Sequence, residues 1–491
     1  MPLRLLALDL GAESGRALTG SFDGSRLEVE VAHRFPNVPV RIGGTLYWDF
    51  PRLFGDVLAG LRAALESGPV ASVGVDGWGV DFGLIDQRGR LIANPVHYRD
   101  TRTSGMLERA LQRVSAEDVY TRTGIQFMPI NTLYQLLAMS GDADLERANR
   151  LLMIPDLVHH FLCDSVVCEY TNATTTQCYD VERGAWSTRL LSDLDIPVRL
   201  FPEVVPPGTR LGPLRSDVAA DVGGSLMVTA PATHDTASAV VATPLAADGS
   251  TAYLSSGTWS LIGLELRQPV LTSAACEGNL TNEGGVAGTV RLLKNVMGLW
   301  LIQEARRALG LTLSYDELTA QADAAAPFSA FIDPDDERFL RPGDLPASVR
   351  AFCVESGQAP PPDTASLVRV VLESLALKYA VVLRQLETVS GRTVRAIHVV
   401  GGGSQNALLC QLTANASGLP VLAGPSEATS IGNLVIQAIA LGELRSVAEA
   451  RQVVSACWPA RRYEPDGDWS EPRQRFANIL RSRTQAQGVL Q

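Results

Sequence analysis

The stretch LLALDLGAESGRALTGSF, residues 5–22, decides the fold prediction. Two apolar runs of strand type flank a polar turn at Gly11–Gly15, and a turn of this kind between strand patterns predicts a β-hairpin. A second copy of the arrangement, TAYLSSGTWSLIGLEL, begins at Thr251 and has its turn at Ser255–Thr258. Two such hairpins in one chain predict an internal duplication in which each hairpin opens one α/β domain.

The rest of the chain alternates between short apolar strands and helical stretches, which is the pattern of α/β proteins. Predicted strands are 71–77, 151–154, 225–230 and 394–400, and predicted helices are 53–67, 105–114, 131–139, 364–389 and 431–441. We therefore predict two domains, 1–245 and 246–491, divided by a loop at Pro244–Asp248. Three prolines at 360–362 are interpreted as a loop inside the second domain, because a helical pattern restarts at Thr364.

Composition restricts the class of partner. A chain of 491 residues exceeds what one hydrophobic core usually holds, and 46% hydrophobic against 19% charged residues is typical of a globular protein. The formal net charge of -11 argues against a surface that binds nucleic acid or anionic lipid. We expect a cytoplasmic protein, because no export signal, no apolar run of membrane-spanning length and no CxxC pair is found in the sequence. The sequence makes no prediction of oligomeric state.

The first hairpin is the candidate phosphate site. A P-loop is excluded, because the only two lysines, Lys294 and Lys378, are followed by neither serine nor threonine. In a tight turn of small residues, however, successive backbone N–H groups form a concavity that attracts phosphate oxygens. Asp9, at the end of the first strand, can hold a hydrated Mg²⁺ that neutralises charge on the β- and γ-phosphates of ATP. Ser14 and Arg16 would supply further donors.

Two features of the second domain are predicted to complete the ATP site. The turn Ser256–Thr258 would approach the phosphates from that domain, and the triplet Gly401–Gly403 follows a predicted strand. Glycine lets a ligand approach the backbone closely. Each feature alone is usually an ordinary turn, so the prediction depends on their order along one chain.

Asp235 is the candidate catalytic base. It lies in APATHDT, residues 230–236, between a predicted strand and a run of small residues that begins a helix. An aspartate at this position is often only an N-cap, but a helix start also keeps a general base ionised. The segment 74–82, GVDGWGVDF, combines an indole, glycines and two carboxylates, which could contact a sugar. A buried tryptophan in an ordinary turn explains the segment equally well.

This layout resembles the actin-like ATPase superfamily and, within it, the FGGY family of carbohydrate kinases, over nearly the whole chain. The motifs that carry the resemblance are DLGAESGR (9–16), GWGVDFGLID (77–86), HYRDTRT (97–103), GIQFMPINTLYQL (124–136), EYTNATTTQ (169–177), THDTASAV (233–240), YLSSGTWSL (253–261), NLTNEGG (279–285) and LKNVMGLWL (293–301). The resemblance implies two ribonuclease-H-like α/β domains with a cleft between them, and transfer of the γ-phosphoryl group of ATP to a sugar with Mg²⁺. The motifs are most similar to those of members that act on O1 of L-rhamnulose.

The resemblance also implies roles for single residues. Asp235 is the implied proton acceptor. The implied sugar-binding residues are Gly79, Trp78, His234, Asp235, Thr236 and Asn295, and the implied ATP-binding residues are Ala12, Glu13, Ser14, Gly15, Arg16, Thr258, Gln303 and Gly402. Glu13 would repel phosphate unless its side chain faces solvent. The segment 427–433 differs from xylulose kinases, which favours L-rhamnulose; the alternatives are a kinase for L-fuculose, xylulose or glycerol, or a non-catalytic actin-like nucleotide switch.

Overall fold

The computed structural model describes residues 2–246, 248–340 and 343–488, and the chain forms two compact units. Unit 1 comprises Met1–Pro244, Glu265–Leu293 and Glu427–Pro459, and unit 2 comprises Leu245–Leu264, Lys294–Ser426 and Ala460–Gln491. The first change of unit falls in the loop where the sequence predicts a domain boundary, although Ala247 of that loop lies outside the described residues. Two later segments return to unit 1, so unit 2 does not contain everything that follows residue 246.

The helices and strands include every segment predicted from the sequence, with ends that differ by a few residues. The strands are β1 (Leu3–Leu10), β2 (Ser14–Phe22), β3 (Leu27–Pro36), β4 (Val40–Ile42), β5 (Thr45–Tyr47), β6 (Ser72–Gly77), β7 (Phe82–Ile85), β8 (Arg150–Met153), β9 (Val167–Glu169), β10 (Tyr179–Asp180), β11 (Ala185–Trp186), β12 (Glu203–Val205), β13 (Thr209–Pro213), β14 (Met227–Ala230), β15 (Thr251–Ser256), β16 (Trp259–Leu266), β17 (Thr281–Gly284), β18 (Val290–Met297), β19 (Ala396–Val400), β20 (Val421–Ala423) and β21 (Arg461–Tyr463). The helices are α1 (Phe50–Glu66), α2 (Met106–Leu111), α3 (Ala116–Thr123), α4 (Thr132–Ala138), α5 (Ala143–Arg147), α6 (Ile154–Cys163), α7 (Tyr170–Ala173), α8 (Thr188–Asp193), α9 (Ser216–Val222), α10 (Asp235–Val241), α11 (Ser273–Glu277), α12 (Trp300–Ala308), α13 (Tyr315–Ala324), α14 (Leu345–Glu355), α15 (Thr364–Ser390), α16 (Ala407–Ser417), α17 (Ala428–Ala440), α18 (Val447–Cys457) and α19 (Ser470–Gly488). Among the residues that the structure describes, no helix has the length and apolar character needed to cross a membrane.

Each unit is built on a sheet with the same succession of strand pairings. In unit 1 the order is β13-β14-β6-β1-β2-β3, in which β1 pairs antiparallel with β2 and parallel with β6, while β14 pairs parallel with β6 and antiparallel with β13. In unit 2 the run β16-β15-β19-β20-β21 repeats this succession: an antiparallel hairpin, two parallel neighbours and an antiparallel last strand. The repeated topology is what the two hairpins in the sequence predict, and it confirms the mixed α/β fold class.

Strand β1 runs through the core of unit 1 and separates two helix layers. Its neighbouring residues Leu8 and Asp9 point to opposite faces, because side chains alternate along a strand. Leu8 approaches α1, which buries an apolar stripe at helical spacing, whereas Asp9 accepts a hydrogen bond from Ser430 of α17. Contact of α17 with β1 and β6 is the physical reason that the segment 427–459 belongs to unit 1.

Candidate functional site

A row of three charged side chains crosses the sheet of unit 1 where β1 ends. Arg16 of β2 and Asp76 of β6 are the register partners of Asp9 on its two sides. Register partners share a face of the sheet, so the three charges lie side by side. Arg16 donates to Asp9 Oδ2 from Nε at 3.0 Å and from Nη2 at 2.8 Å, and the charge of Asp9 raises the pKa of Arg16 above its usual value. The first hairpin therefore supplies its own cation to the carboxylate predicted to hold a metal.

Helix α17 and the residue before it cover this charged row. Three polar residues contact one member each: Glu427 Oε2 lies 2.6 Å from Arg16 Nη1, Ser430 Oγ donates to Asp9 Oδ2 at 3.1 Å, and Asn433 Nδ2 donates to Asp76 Oδ2 at 2.6 Å. Residues three apart lie on one face of a helix, so a single face meets the whole row. The rest of α17 is mostly buried and apolar, which leaves these polar groups as its inward contacts with the charges.

The tip of the first hairpin is a tight turn. The N–H of Gly11 donates to the carbonyl of Ser14 at 3.1 Å and closes the turn, and a side chain at position 11 would lie 2.6 Å from that carbonyl oxygen. The predicted phosphate-binding residues Ala12, Glu13, Ser14, Gly15 and Arg16 lie in this turn or directly after it. The side chain of Glu13 is exposed, which is the condition under which an acid is compatible with a phosphate site.

Asp235 begins α10 and has one oxygen fixed and one available. His234, not Asp235, occupies the N-cap position, and its side chain makes no capping bond. Asp235 Oδ1 accepts hydrogen bonds from the N–H of Thr236 at 2.5 Å and from the Thr236 hydroxyl at 3.1 Å. Oδ2 accepts none within the described residues, and 32% of the side-chain surface is exposed. The arrangement leaves Oδ2 free to accept a proton from a bound molecule.

The loop that leads to Asp235 is held by a buried carboxylate. Thr233 donates to Glu169 Oε2 from its N–H and from its hydroxyl, both at 2.9 Å, and the N–H of Thr171 donates to Glu169 Oε1 at 2.9 Å. Burial raises the pKa of Glu169 to about 7. The carbonyl of Thr233 also accepts a hydrogen bond from the N–H of Gly77 at 2.9 Å, which ties this loop to the end of β6.

Asp76 and Asp235 also have raised pKa values. Burial raises the pKa of Asp76 well above its usual value, and the charges of Asp9 and Asp235 raise it further. Burial also raises the pKa of Asp235; the neighbouring His234 opposes this shift, and the charge of Asp9 adds to it. A cation placed among these carboxylates would offset their mutual repulsion.

The segment predicted to contact the sugar has an inward-facing tryptophan. Trp78 is 6% exposed, and its indole N–H donates to Asp81 Oδ2 at 3.0 Å. The indole N–H of Trp48 donates to the same oxygen at 2.6 Å. The indole N–H of Trp78 is therefore held within the protein, and only its ring would remain for contact with a sugar. Gly79 lies next to Thr175, and a Cβ at position 79 would lie 2.9 Å from the Thr175 hydroxyl oxygen. Only glycine leaves that space open.

In unit 2, two of the predicted ATP-binding residues lie at the second hairpin and in the helix held against it. The carbonyl of Thr258 accepts hydrogen bonds from the N–H groups of Gly298 and Trp300, each at 3.2 Å, which fixes the start of α12 against the turn. Gln303 lies in the first turn of that helix, and its Oε1 is buried without a hydrogen-bond partner in the described part of the chain. Asn295, on β18 of the same unit, is half-buried.

The glycine triplet also lies against the second hairpin. Gly401 has φ of +80°, and a Cβ there would lie 2.9 Å from the carbonyl oxygen of Ser256. Both the backbone conformation and the close approach require glycine. Gly402, the residue predicted to contact ATP, is exposed, and a Cβ built on it would meet nothing within 4 Å. Hairpin, helix start and glycine turn thus form one surface of unit 2.

The acidic groups of unit 1 fit a magnesium ion that is held largely by water and phosphate. Within the described ranges, no group of three or more His, Cys, Asp or Glu residues could hold a metal ion. Mg²⁺ usually takes only one or two protein carboxylates and fills its other positions with water and substrate phosphates. Asp9 and Asp76 supply two such groups, and Asp76 Oδ1 is buried with no hydrogen-bond partner among the described residues. That buried oxygen is an acceptor that no described residue satisfies.

Sequence reasoning missed four members of this site: Asp76, Glu427, Ser430 and Asn433. From the sequence, Asp76 is only one of two carboxylates in the segment 74–82. A usable signal for the others is present, because polar residues recur at a spacing of three at 427, 430 and 433, but only Asn433 falls within the apolar helix that the sequence predicts at 431–441. The residues that they contact could not be predicted from the sequence, because Ser430 and Asp9 are 421 residues apart.

Comparison with known proteins gives the class of this protein. The family model of the N-terminal domain of the FGGY family of carbohydrate kinases matches residues 4–242, and that of the C-terminal domain matches residues 252–441. The chain belongs to the FGGY family of carbohydrate kinases, as its motifs predict. Members of this class transfer a phosphoryl group from ATP to a sugar, so ATP and a sugar are its small-molecule partners.

Relatives and solved structures add detail. The chain is 43% identical over 487 residues to a rhamnulokinase of Bacteroides thetaiotaomicron, with 98% of this chain and 100% of that protein covered. It is 42% identical over 494 residues to a rhamnulokinase of Pectobacterium carotovorum, with 99% and 98% covered. The ligand-bound xylulose kinase of Lactobacillus acidophilus superposes with a TM-score of 0.79 at 16% identity, covering 99% of this chain and 98% of that one. Plasmodium falciparum glycerol kinase with ADP superposes with a TM-score of 0.77 at 13% identity, over 99% and 98%. These superpositions confirm the actin-like fold.

Proposed function

We propose that this enzyme phosphorylates L-rhamnulose at O1 with ATP, forming L-rhamnulose 1-phosphate in the degradation of L-rhamnose. The substrate proposal is supported by identities of 43% and 42% to two rhamnulokinases along nearly their whole length. The observation that carries the chemistry is the carboxylate of Asp235, in which one oxygen is fixed and the other is available. Because the reaction needs ATP, the cytoplasm, where ATP is supplied, is the proposed site of action.

Asp235 is proposed to act as the general base. As the O–H bond of the sugar O1 hydroxyl breaks, its proton passes to Asp235 Oδ2, and O1 forms a bond to the γ-phosphorus of ATP. The bond from that phosphorus to the β–γ bridging oxygen breaks, and ADP leaves with the electron pair. The Thr236 N–H and hydroxyl hold Oδ1 throughout, so the carboxylate presents Oδ2 in one orientation. A base placed in this way contributes roughly 10²- to 10⁴-fold to the rate.

The remaining predicted residues are proposed to bind the two substrates. For ATP they are the turn residues Ala12, Glu13, Ser14, Gly15 and Arg16 of unit 1 and Thr258, Gln303 and Gly402 of unit 2. For the sugar they are His234, Thr236, Gly79, Trp78 and Asn295. Asp9, with Asp76 beside it, is proposed to hold Mg²⁺, which when bound neutralises charge on the β- and γ-phosphates. Arg16 holds Oδ2 of Asp9 in place through two hydrogen bonds.

A substrate panel tests the proposal. ADP release is coupled to NADH oxidation and measured with L-rhamnulose, L-fuculose, D-xylulose and glycerol as acceptors, with the Asp235→Asn enzyme as the negative control. We expect the highest kcat/KM with L-rhamnulose and a 1-phosphate product by ³¹P NMR. A higher kcat/KM with another acceptor would reassign the substrate, and absence of ADP release with every acceptor would favour a nucleotide switch.

A further inference from the structure

A buried arginine contacts the histidine that precedes the proposed base. Arg291 of β18 is fully buried, and its Nη2 lies 3.0 Å from Nδ1 of His234. On the neighbouring strand β17, Glu283 is the register partner of Arg291, and its Oε2 lies 3.2 Å from the same Nη2 and 3.3 Å from His234 Nδ1. The three side chains form a compact buried cluster, which we call the histidine clamp (Arg291, Glu283 and His234).

Two groups of opposite hydrogen-bonding character face Nδ1 of His234. The guanidinium of Arg291 has only N–H donors and stays protonated in proteins, and its Nη2 is the closer group, at 3.0 Å, whereas the acceptor Glu283 Oε2 is 3.3 Å away. The closer contact favours an unprotonated Nδ1. A neutral imidazole carries one N–H, and it must then lie on Nε2. Nε2 is 3.6 Å from Oδ1 of Asp235.

The cross-strand pair of Arg291 and Glu283 does not by itself account for the cluster. A buried ion pair is weak evidence for stability, because desolvation can exceed the Coulomb attraction. Arg291 Nε donates to the carbonyl of Gly284 at 2.9 Å, whereas Nη1 is buried without a hydrogen-bond partner among the described residues. A group that is costly to bury and incompletely paired calls for a role beyond packing, and its contact with His234 supplies one.

We propose that Arg291, oriented by Glu283, is a positioning residue that keeps the proton of His234 on Nε2. The Nε2–H then faces Oδ1 of Asp235, the oxygen that Thr236 already holds, and leaves Oδ2 as the only oxygen for the substrate proton. With the proton on Nδ1 instead, Nε2 would present a lone pair to the carboxylate and repel it. The inference rests on the proposed role of Asp235 as the base.

The position of the proton is measured directly by NMR. The enzyme is labelled with ¹⁵N-histidine, and since the chain has only 6 histidines, the spectrum of His234→Gln assigns the His234 signals by their disappearance. The ¹⁵N shifts and two-bond ring couplings distinguish an Nε2–H from an Nδ1–H imidazole. We expect the Nε2–H form for His234 in the free wild-type enzyme. The Nδ1–H form, or an imidazolium at neutral pH, would overturn the inference.

The variant Arg291→Met tests whether Arg291 determines the position of the His234 proton. It removes the donor and leaves Glu283 Oε2 next to Nδ1, so we expect the proton to move to Nδ1. We expect kcat to fall roughly 10- to 100-fold, the scale of a misplaced catalytic group, with KM for ATP unchanged. Arg291→Lys keeps a charged donor and should retain the Nε2–H form. An unchanged tautomer in Arg291→Met, or equal kcat in wild type and Arg291→Met, would refute the positioning role.

Two further variants keep the test valid if Arg291→Met does not fold. His234→Gln retains an N–H donor near the Nε2 position, whereas His234→Asn is too short to place one there, so we expect higher kcat in His234→Gln. Equal kcat in the two variants would contradict the need for an Nε2–H donor. The NMR result is independent of the sugar, because it is recorded on the free enzyme. Failure of L-rhamnulose as a substrate would therefore alter the proposed function and leave the tautomer assignment intact.

Discussion

Replacing Asp235 with asparagine separates the proposed base from the fold around it. The asparagine oxygen can take the place of Oδ1 and keep both hydrogen bonds from Thr236, so only Oδ2 is exchanged, for an NH₂ group that cannot accept a proton. Loss of one negative charge also relieves the repulsion that raises the pKa of Asp76. We therefore expect Asp235→Asn to fold with a thermal midpoint no lower than that of wild type.

The expected loss of turnover follows from the single atom that changes. A positioned general base contributes roughly 10²- to 10⁴-fold, which corresponds to about 3 to 5 kcal/mol of activation free energy. The assay is coupled ADP release at saturating ATP and L-rhamnulose, and calorimetry checks that both ligands still bind. Glu182→Gln is the matched control, because it makes the same change in charge on an exposed turn. If Asp235→Asn retained kcat within a factor of about two of that control, the assignment of Asp235 as the base would be wrong.

Three further outcomes are expected. Asp9→Asn should lower kcat at every Mg²⁺ concentration, because Asp9 is proposed to hold the ion, and it should leave the circular dichroism spectrum unchanged. Wild-type activity of this variant at saturating Mg²⁺ would contradict the metal assignment. Since burial raises the pKa of Asp235, the acidic limb of the kcat profile should lie above the usual aspartate pKa of 3.8, and a limb at or below that value would contradict its role. Burial raises the pKa of Asp81 from 3.8 to about 6, so the native state binds this proton more tightly than the unfolded state does. The stabilisation of the fold by protonated Asp81 is therefore present at low pH and is lost as pH rises from about 4 to 6. The thermal midpoint of Asp81→Asn should not decrease over this range. If the wild type and Asp81→Asn showed the same pH dependence, the role of Asp81 would be refuted.

The parts of the site that depend on local sequence were predictable. The turn at Gly11–Gly15 and its copy at Ser255–Thr258 are read from small residues between apolar runs, and both form hairpins. The position of Asp235 between a strand and a helix marks it as the candidate base, and that role stays a prediction. The choice between cap and base is not local: His234 takes the N-cap position and the Oδ1 bonds of Asp235 come from Thr236, which supports the base that we propose.

The motifs alone therefore determined the family, the α/β class, the two hairpins and the strand before Gly401–Gly403, because each depends on residues close in sequence. Tertiary structure alone decided that Asp76 lies in register with Asp9, that Asn433 contacts it, and that Arg291 reaches His234. It also decided that the segment 427–459 belongs to unit 1. The physical reason is that strand register and helix packing are set by burial of whole apolar faces, and a sequence pattern gives the face of an element without giving its partner.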